Sequence, residues 1–291
     1  AAIHLADCRA MGIVVSNPDV NAGRSEFEAI STESEKRIVF ALSAVRNVGE
    51  GLVEQILQER DANGPYESFH DFARRAPEQA LNKRAIESLI KAGAFDSFDH
   101  PRRGLLMVHE SIIDSALSKR REEEKGVMSL FGEMEAASDS GWTSETQIPD
   151  LHFTKPDQLR NEKDMLGLYI SDHPLRGVEF ALRRLVTSTI RDLEHLEAGQ
   201  VTIGGVMTSL SRRFTKKGDQ MATFVLEDMD GSVEVTVFSK TLTEYGHMLV
   251  DDQIITVAGR LNKRDEQPAS FSAQRISVPE NLDARIPEII I

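Results

Sequence analysis

From Gln200 onward apolar residues recur at every second position, and this change of period limits the possible fold more than any other feature of the chain. A period of two turns one face of a strand toward a core and the other toward water. Val201-Thr202-Ile203 opens such a run, which extends toward Phe214. Thr223-Phe224-Val225-Leu226 is a second run, and Asp230-Gly231 behind it is a tight hairpin signal. Val233-Glu234-Val235-Thr236-Val237 alternates as a half-buried strand does. A short helix is expected over 240–249, and two further strands over 254–260 and 270–273.

Five short strands with a helix between the third and fourth follow the order of an oligonucleotide-binding (OB) barrel. What precedes them is helical. Residues 3–11 have helical spacing and stop at Gly12, a C-terminal cap. Strands are expected at 13–15 and 37–40. Leu42 and Val45 have helical spacing, Asn47-Val48-Gly49-Glu50-Gly51 breaks it, and Leu52, Val53, Ile56 and Leu57 restart it. A second such unit opens at Asn82-Lys83, runs through Ile86, Leu89 and Ile90, and ends at Ala92-Gly93-Ala94-Phe95. Another helix is expected over 102–119, and two more over 161–169 and 175–185, split by His173-Pro174. The fold class is therefore α+β and multidomain: a helical domain with paired helix-hairpin-helix units, then a five-stranded OB barrel.

Between the two halves, residues 121–160 are acidic and rich in Ser, Gly, Thr and Pro, which is the composition of a linker. One apolar island interrupts it, Val127-Met128-Ser129-Leu130-Phe131. With no local core to join, such an island suits docking into a groove on a partner, or folding back on its own chain.

Charge narrows the chemistry. The formal net charge is −13, so any contact with a polyanion has to come from local basic patches. Arg212-Arg213-Phe214-Thr215-Lys216-Lys217-Gly218 is one: four cations, uninterrupted by acids, around the end of the first barrel strand. An exposed aromatic there can stack on a base, whereas Phe224 and Phe238, in strongly apolar contexts, are expected in the core. The Asn47–Gly51 turn is another candidate, because backbone N–H groups at a helix N-terminus suit a phosphate and glycine lets it approach. The same turn also suits an ordinary helical hairpin. The unit ending at Gly93, with Lys83, Arg84 and Lys91, repeats the pattern.

Other chemistries find little support. Cys8 is the only cysteine, which excludes an internal disulfide and a thiolate zinc site and fits a reducing cytosol. His4 and Cys8 are four apart but lack a third ligand. Asp228-Met229-Asp230 is the one Asp-x-Asp, and it sits on a turn; Asp251-Asp252 reads as a loop. There is no Walker-type glycine loop and no defensible Ser/His/Asp grouping. No apolar run reaches the ~20 residues needed to span a bilayer. The opening Ala1-Ala2-Ile3-His4 lacks a start Met and a basic region, so a piece of a longer chain without a signal peptide is expected.

Several of these stretches together resemble one family, the alpha subunit of bacterial DNA polymerase III. Cys8-Arg9-Ala10-Met11-Gly12-Ile13 with Pro18-Asp19-Val20-Asn21 resembles the end of its fingers region. The segments 40–51 and 82–96 resemble its tandem helix-hairpin-helix module, and Met128-Ser129-Leu130-Phe131-Gly132 its sliding-clamp peptide. Leu166-Gly167-Leu168-Tyr169-Ile170-Ser171 with His173-Pro174-Leu175 resembles the approach to its OB domain. Thr215-Lys216-Lys217-Gly218, Leu226-Glu227-Asp228 and Gly231-Ser232-Val233-Glu234-Val235 resemble that domain itself.

The resemblance implies a division of 1–36 fingers, 37–120 tandem helix-hairpin-helix, 121–158 acidic linker with clamp peptide, 159–198 helical connector, 199–280 OB domain and 281–291 tail. It implies duplex DNA held by Asn47, Val48, Gly49, Gly51, Lys83, Arg84, Lys91 and Gly93, and single-stranded template near Arg212, Arg213, Phe214, Lys216 and Lys217. It implies a sliding clamp on Met128, Ser129, Leu130 and Phe131, other replicase subunits as partners, no membrane, and a bacterial cytoplasm close to the nucleoid. The nucleotidyltransferase palm would precede this chain, so no catalytic residue is assigned; no cofactor is expected here, and Mg2+ is expected for the whole polymerase. Val127 stands where the family's clamp peptide usually has glutamine, which weakens docking. Asn47 stands where glycine is common, a mild change because asparagine tolerates the left-handed conformation. A protein-interaction module, or the same region of a damage-tolerance sister polymerase, is the alternative.

Overall fold

The computed structural model describes residues 5, 7, 8, 11–32, 36–124, 145–215, 218–264 and 267–279. They fall into two compact units. One lies within residues 12–171; the other comprises the described residues from 172 onward with Leu5, Asp7, Cys8 and Met11. Val127, Met128, Ser129, Leu130, Phe131, Lys216, Lys217 and His4 lie outside the described residues.

The first unit opens with a small sheet. Strands β1 (Val14–Ser16), β2 (Glu28–Ser31) and β3 (Lys36–Val39) lie in the order β1-β3-β2, with β1 parallel and β2 antiparallel to β3. β2 is too polar to announce itself in the sequence. Leu42–Ala44 then makes only one 3-10 turn, where helical spacing predicts a longer helix. Helix α1 is Glu50–Asn63, and α2 is Phe69–Arg75, started by Ser68, whose hydroxyl accepts from the Asp71 N–H. α2 is missed by the sequence reading because its three aromatic and alanine core positions fit less than two turns.

Helix α3 (Lys83–Ala92) is bounded at both ends by local chemistry. The Asn82 side chain accepts from the Ala85 N–H, and Gly93, in the left-handed region at φ 88, stops it. The Gly93 N–H donates to the Ile90 carbonyl and the Ala94 N–H to the Leu89 carbonyl, a Schellman ending. Helix α4 (Arg102–Glu124) is long, and α5 (Lys155–Leu166), capped by Thr154, starts six residues before the expected position. Phe69, Phe72, Phe95 and Phe98 interlock with Tyr66 in the core, with ring centroids 5.0–5.9 Å apart. Ile56, Ile86, Leu89, Leu105 and Ile113 fill the space around them. Residues 145–151 return to this same body: the His70 Nε2–H donates to the Thr146 carbonyl, and the Gly104 N–H donates to the Leu151 carbonyl. Both flanks of residues 125–144 thus belong to one unit.

One buried ion pair ties the helices. Glu162 of α5 is fully buried and accepts from Arg102 Nη1 at 2.8 Å, from Asn17 Nδ2 at 3.1 Å and from the Ser171 N–H at 3.1 Å. Arg102 also forks onto Asp96, and Asn17 donates to the Ala92 carbonyl at the end of α3. Burial works against the Arg102 charge, but the bonds and charges of Asp96 and Glu162 outweigh it and hold its pKa above the ordinary arginine value.

The second unit is the barrel. A short helix, α6 (Glu179–Arg183), occupies only the middle of the expected 175–185. Strands β4 (Gly199–Phe214), β5 (Gln220–Glu227), β6 (Ser232–Val237), β7 (Ile254–Arg264) and β8 (Gln267–Ser277) close in the order β4-β5-β6-β8-β7. The expected helix between the third and fourth is α7 (Ser239–Tyr245), followed by a 3-10 turn. β4 is long enough to pair with both β5 and β7 because it bends at a bulge between Thr208 and Ser211, where Ser209 has φ 58. Gly205 allows a close crossing: a Cβ there would stand 2.3 Å from the Glu227 carbonyl oxygen. The core is lined by Ile203, Phe224, Val235, Ile255, Val257 and Phe271.

Phe238 departs from expectation. It is 53% exposed, not core. Val233, Val235 and Val237 take the inward positions of β6, so Phe238, one residue on, faces out.

Candidate nucleic-acid interface

The turn before α1 is open. Asn47, Gly49, Glu50 and Gly51 are exposed, and nothing lies within 4 Å of where a Cβ would stand on Gly49 or Gly51. No side chain caps α1. In the first turn of this 14-residue helix the Leu52 N–H already donates to the Gly49 carbonyl at 3.1 Å, and the N–H groups of the exposed Glu50 and Gly51, at the positive end of the helix dipole, are left for an outside acceptor. An anion can sit there without displacing any protein group.

Two members of this turn point the other way. Val48 is buried and braces the turn from below. Asn47 has φ 65, and its Nδ2 donates to Ser88 Oγ at 3.1 Å; that hydroxyl in turn donates to the Arg84 carbonyl. The Asn47 side chain thus fastens the turn to α3, a link that no local pattern announces.

The second helix-hairpin-helix motif, ending at Gly93, is built differently. Gly93 is buried, and a Cβ on it would stand 2.3 Å from Arg102 Nη2 and 2.7 Å from Asn17 Nδ2. Its glycine serves the left-handed helix ending and the packing of the buried ion pair. The open end of α3 is its start, at Asn82 and Lys83, with Arg84 exposed beside it. Lys83 meets Asp114 at 2.8 Å and Glu110 at 3.5 Å, and these acids hold its ammonium above the ordinary lysine value. Lys91 meets Glu87 at 2.6 Å. A phosphate would have to draw these lysines from their acids, which costs little because the pairs are exposed to solvent and screened.

On the barrel, Arg212, Arg213 and Phe214 end β4 and are all exposed, Phe214 at 70%. The register Arg212↔Ala222, Arg213↔Met221 and Phe214↔Gln220 fixes them on a hairpin at one end of the barrel. Arg212 Nη2 donates to the Gly246 carbonyl at 3.2 Å, and Arg213 Nε to Ser211 Oγ at 3.3 Å. Neither bond neutralises the guanidinium.

At the opposite hairpin, Asp228 is a structural cap. Its Oδ2 accepts from the Ile190 N–H, and its Oδ1 from the Asp230 and Gly231 N–H groups, at 2.7–2.9 Å. Burial pushes its carboxyl up, against the pull of those three donors. Its oxygens are committed to the backbone, which does not fit a Mg2+ ligand. Among the described residues no three His, Cys, Asp or Glu side chains converge as a metal site. Among them, too, no helix is long and apolar enough to cross a membrane.

Sequence reasoning missed Glu162, Asp228 and Asn47 as organisers. Glu162 had a signal: it lies between Leu159 and Leu166 on the apolar stripe of α5, where an acid implies a buried partner.

Comparison with known proteins agrees with this geometry. Residues 12–105 match a family described as a helix-hairpin-helix motif, and residues 201–279 one described as an OB-fold nucleic acid binding domain. The chain is 41% identical to DNA polymerase III subunit alpha of Saccharopolyspora erythraea over 95% of its own length and 24% of the relative's. It is 38% identical to that of Mycobacterium tuberculosis H37Rv over 98% and 24%, and 36% identical to that of Thermus aquaticus over 90% and 21%. The chain spans about a quarter of the length of these curated relatives. With its helix-hairpin-helix and OB parts in the order seen here, it belongs to the DNA polymerase III subunit alpha family.

Proposed function

We propose that this chain is the DNA-holding and clamp-tethering portion of a replicative polymerase, serving template-directed synthesis in chromosome replication. The observation that carries the reading is the open, uncapped start of α1, where Gly49 and Gly51 leave room for a phosphate. Backbone N–H contacts of this kind hold a duplex in register without reading its sequence. Lys83 and Arg84 at the start of α3 would add charge. Arg212, Arg213 and Phe214 would take unpaired template, the arginines on phosphates and the ring on a base; Lys216 and Lys217 would join them.

Met128, Ser129, Leu130 and Phe131 would dock on the sliding clamp, a reading that rests on sequence alone. Other replicase subunits would join the assembly in the bacterial cytoplasm, near the nucleoid. Mg2+ would serve the catalytic palm of the whole polymerase.

The test is fluorescence anisotropy of this chain with single-stranded, duplex and primer–template DNA across a salt series. Affinity should fall with salt at a slope of about −0.7 to −0.9 per phosphate contact. Charge reversal at Arg212 and Arg213 should weaken single-strand binding more than duplex binding. Absence of binding at low salt overturns the reading. So does DNA affinity untouched by that reversal and by bulk at Gly49 and Gly51, which would favour a protein-interaction module.

A further inference from the structure

The barrel carries a second site, at the end remote from its arginines. A cavity of about 440 Å³ opens between α6, β4 and the β5–β6 hairpin. That volume lies within the range of about 300–1,000 Å³ typical of ligand pockets. Its walls include Leu175 and Leu182, both buried, together with Val186 and Met229. The floor is Gly204; a Cβ there would press on Leu182 and Val186 at 2.9 Å. Phe180 stands on the rim, 60% exposed.

The side chains that line this opening carry a net charge opposite in sign to that at the β4–β5 hairpin. Glu179, Asp228 and Asp230 line it against a single cation, Arg183. Asp228 is held by its three backbone donors. β5 connects the two ends: Gln220 faces Phe214, and Glu227 leads into Asp228. Its eight residues span roughly 23 Å, nearly three Debye lengths at physiological salt. The arginine end therefore does not offset the acids. A phosphate backbone is repelled here, while an apolar side chain is welcome and a neighbouring cation is attracted.

We propose that this cavity is a docking site for a protein segment that inserts one large apolar side chain and sets a lysine or arginine beside it, against Glu179 and Asp230. The cation pairs with acids that are only partly exposed, and the apolar group covers Phe180 and Met229. Affinity comes from burying that side chain, and the acids select the sign of its neighbours.

The experiment uses the full chain and two fluorescein-labelled peptides, one with Leu-Phe between two lysines, the other with glutamates in place of the lysines. The basic peptide should bind, and the acidic twin at least tenfold more weakly. Phe180→Ala, at an exposed position, and the pair Glu179→Gln with Asp230→Ser should each lower affinity for the basic peptide at least fivefold. Binding of a labelled dT oligonucleotide should stay within twofold. Failure of the basic peptide to bind, equal binding of its twin, indifference to all these substitutions, or displacement of the peptide by the oligonucleotide would overturn the proposal.

Discussion

Gly49 and Gly51 on one side and Gly93 on the other look alike in the sequence, and the structure gives them opposite duties. The first two border an exposed turn with open space where side chains would stand. Gly93 is packed against Arg102 and Asn17, at the hub of the buried Glu162 pair. A glycine turn is thus a phosphate candidate only where its missing Cβ faces solvent. Where the missing Cβ faces a guanidinium, the glycine is a packing residue, and the cations near it are judged on their own exposure.

The sharpest way to break this contrast is to remove the hub. Glu162→Ala leaves Arg102 paired with Asp96 but takes the shared acceptor from Arg102 Nη1, Asn17 Nδ2 and the Ser171 N–H, and should cost about 3–5 kcal/mol, read as a lower urea midpoint. Little change would mean that the hub is not what fixes Gly93. Gly93→Ala should follow at about 2–4 kcal/mol, the sum of a left-handed alanine and overpacking against Arg102. An unchanged melting temperature would reduce Gly93 to an ordinary helix ending.

Binding then separates the open sites. Phe214→Ala should cost about 1–3 kcal/mol of single-strand affinity with duplex affinity held, measured by anisotropy. Equal losses on both substrates would place Phe214 outside any stacking role. The smallest effect is the most diagnostic. Gly51→Ala lies in the first turn of α1, at an ordinary helical φ, and should stabilise the fold by up to about 1 kcal/mol while weakening duplex binding several-fold. The same substitution that damages the fold at Gly93 would here improve it, and a stability loss at Gly51 would erase the distinction.

Much of the architecture was legible without coordinates, because periodicity is a local property. The two-residue alternation marks the barrel strands, and Asn82 and Gly93 bracket α3 by cap chemistry that needs only nearby backbone. β2 and α2 were hidden, one by its polarity and the other by its brevity. Phe238 was misplaced because hydrophobicity says that a ring seeks cover, while strand alternation decides which face it takes, and its inward neighbours had already filled the core.

The residues thus determined the order of the barrel elements, both ends of α3, and the exposed cations and ring at Arg212, Arg213 and Phe214, because each depends on neighbours a few positions away. Tertiary structure alone decided which glycine turn stays open, that Asn47 reaches Ser88, that Arg102 and Glu162 meet across 60 positions, and that acids gather at the cavity opposite the arginines. Those facts rest on contacts between segments distant in the chain. Burial and charge at such contacts follow from packing in space, which no local spacing encodes.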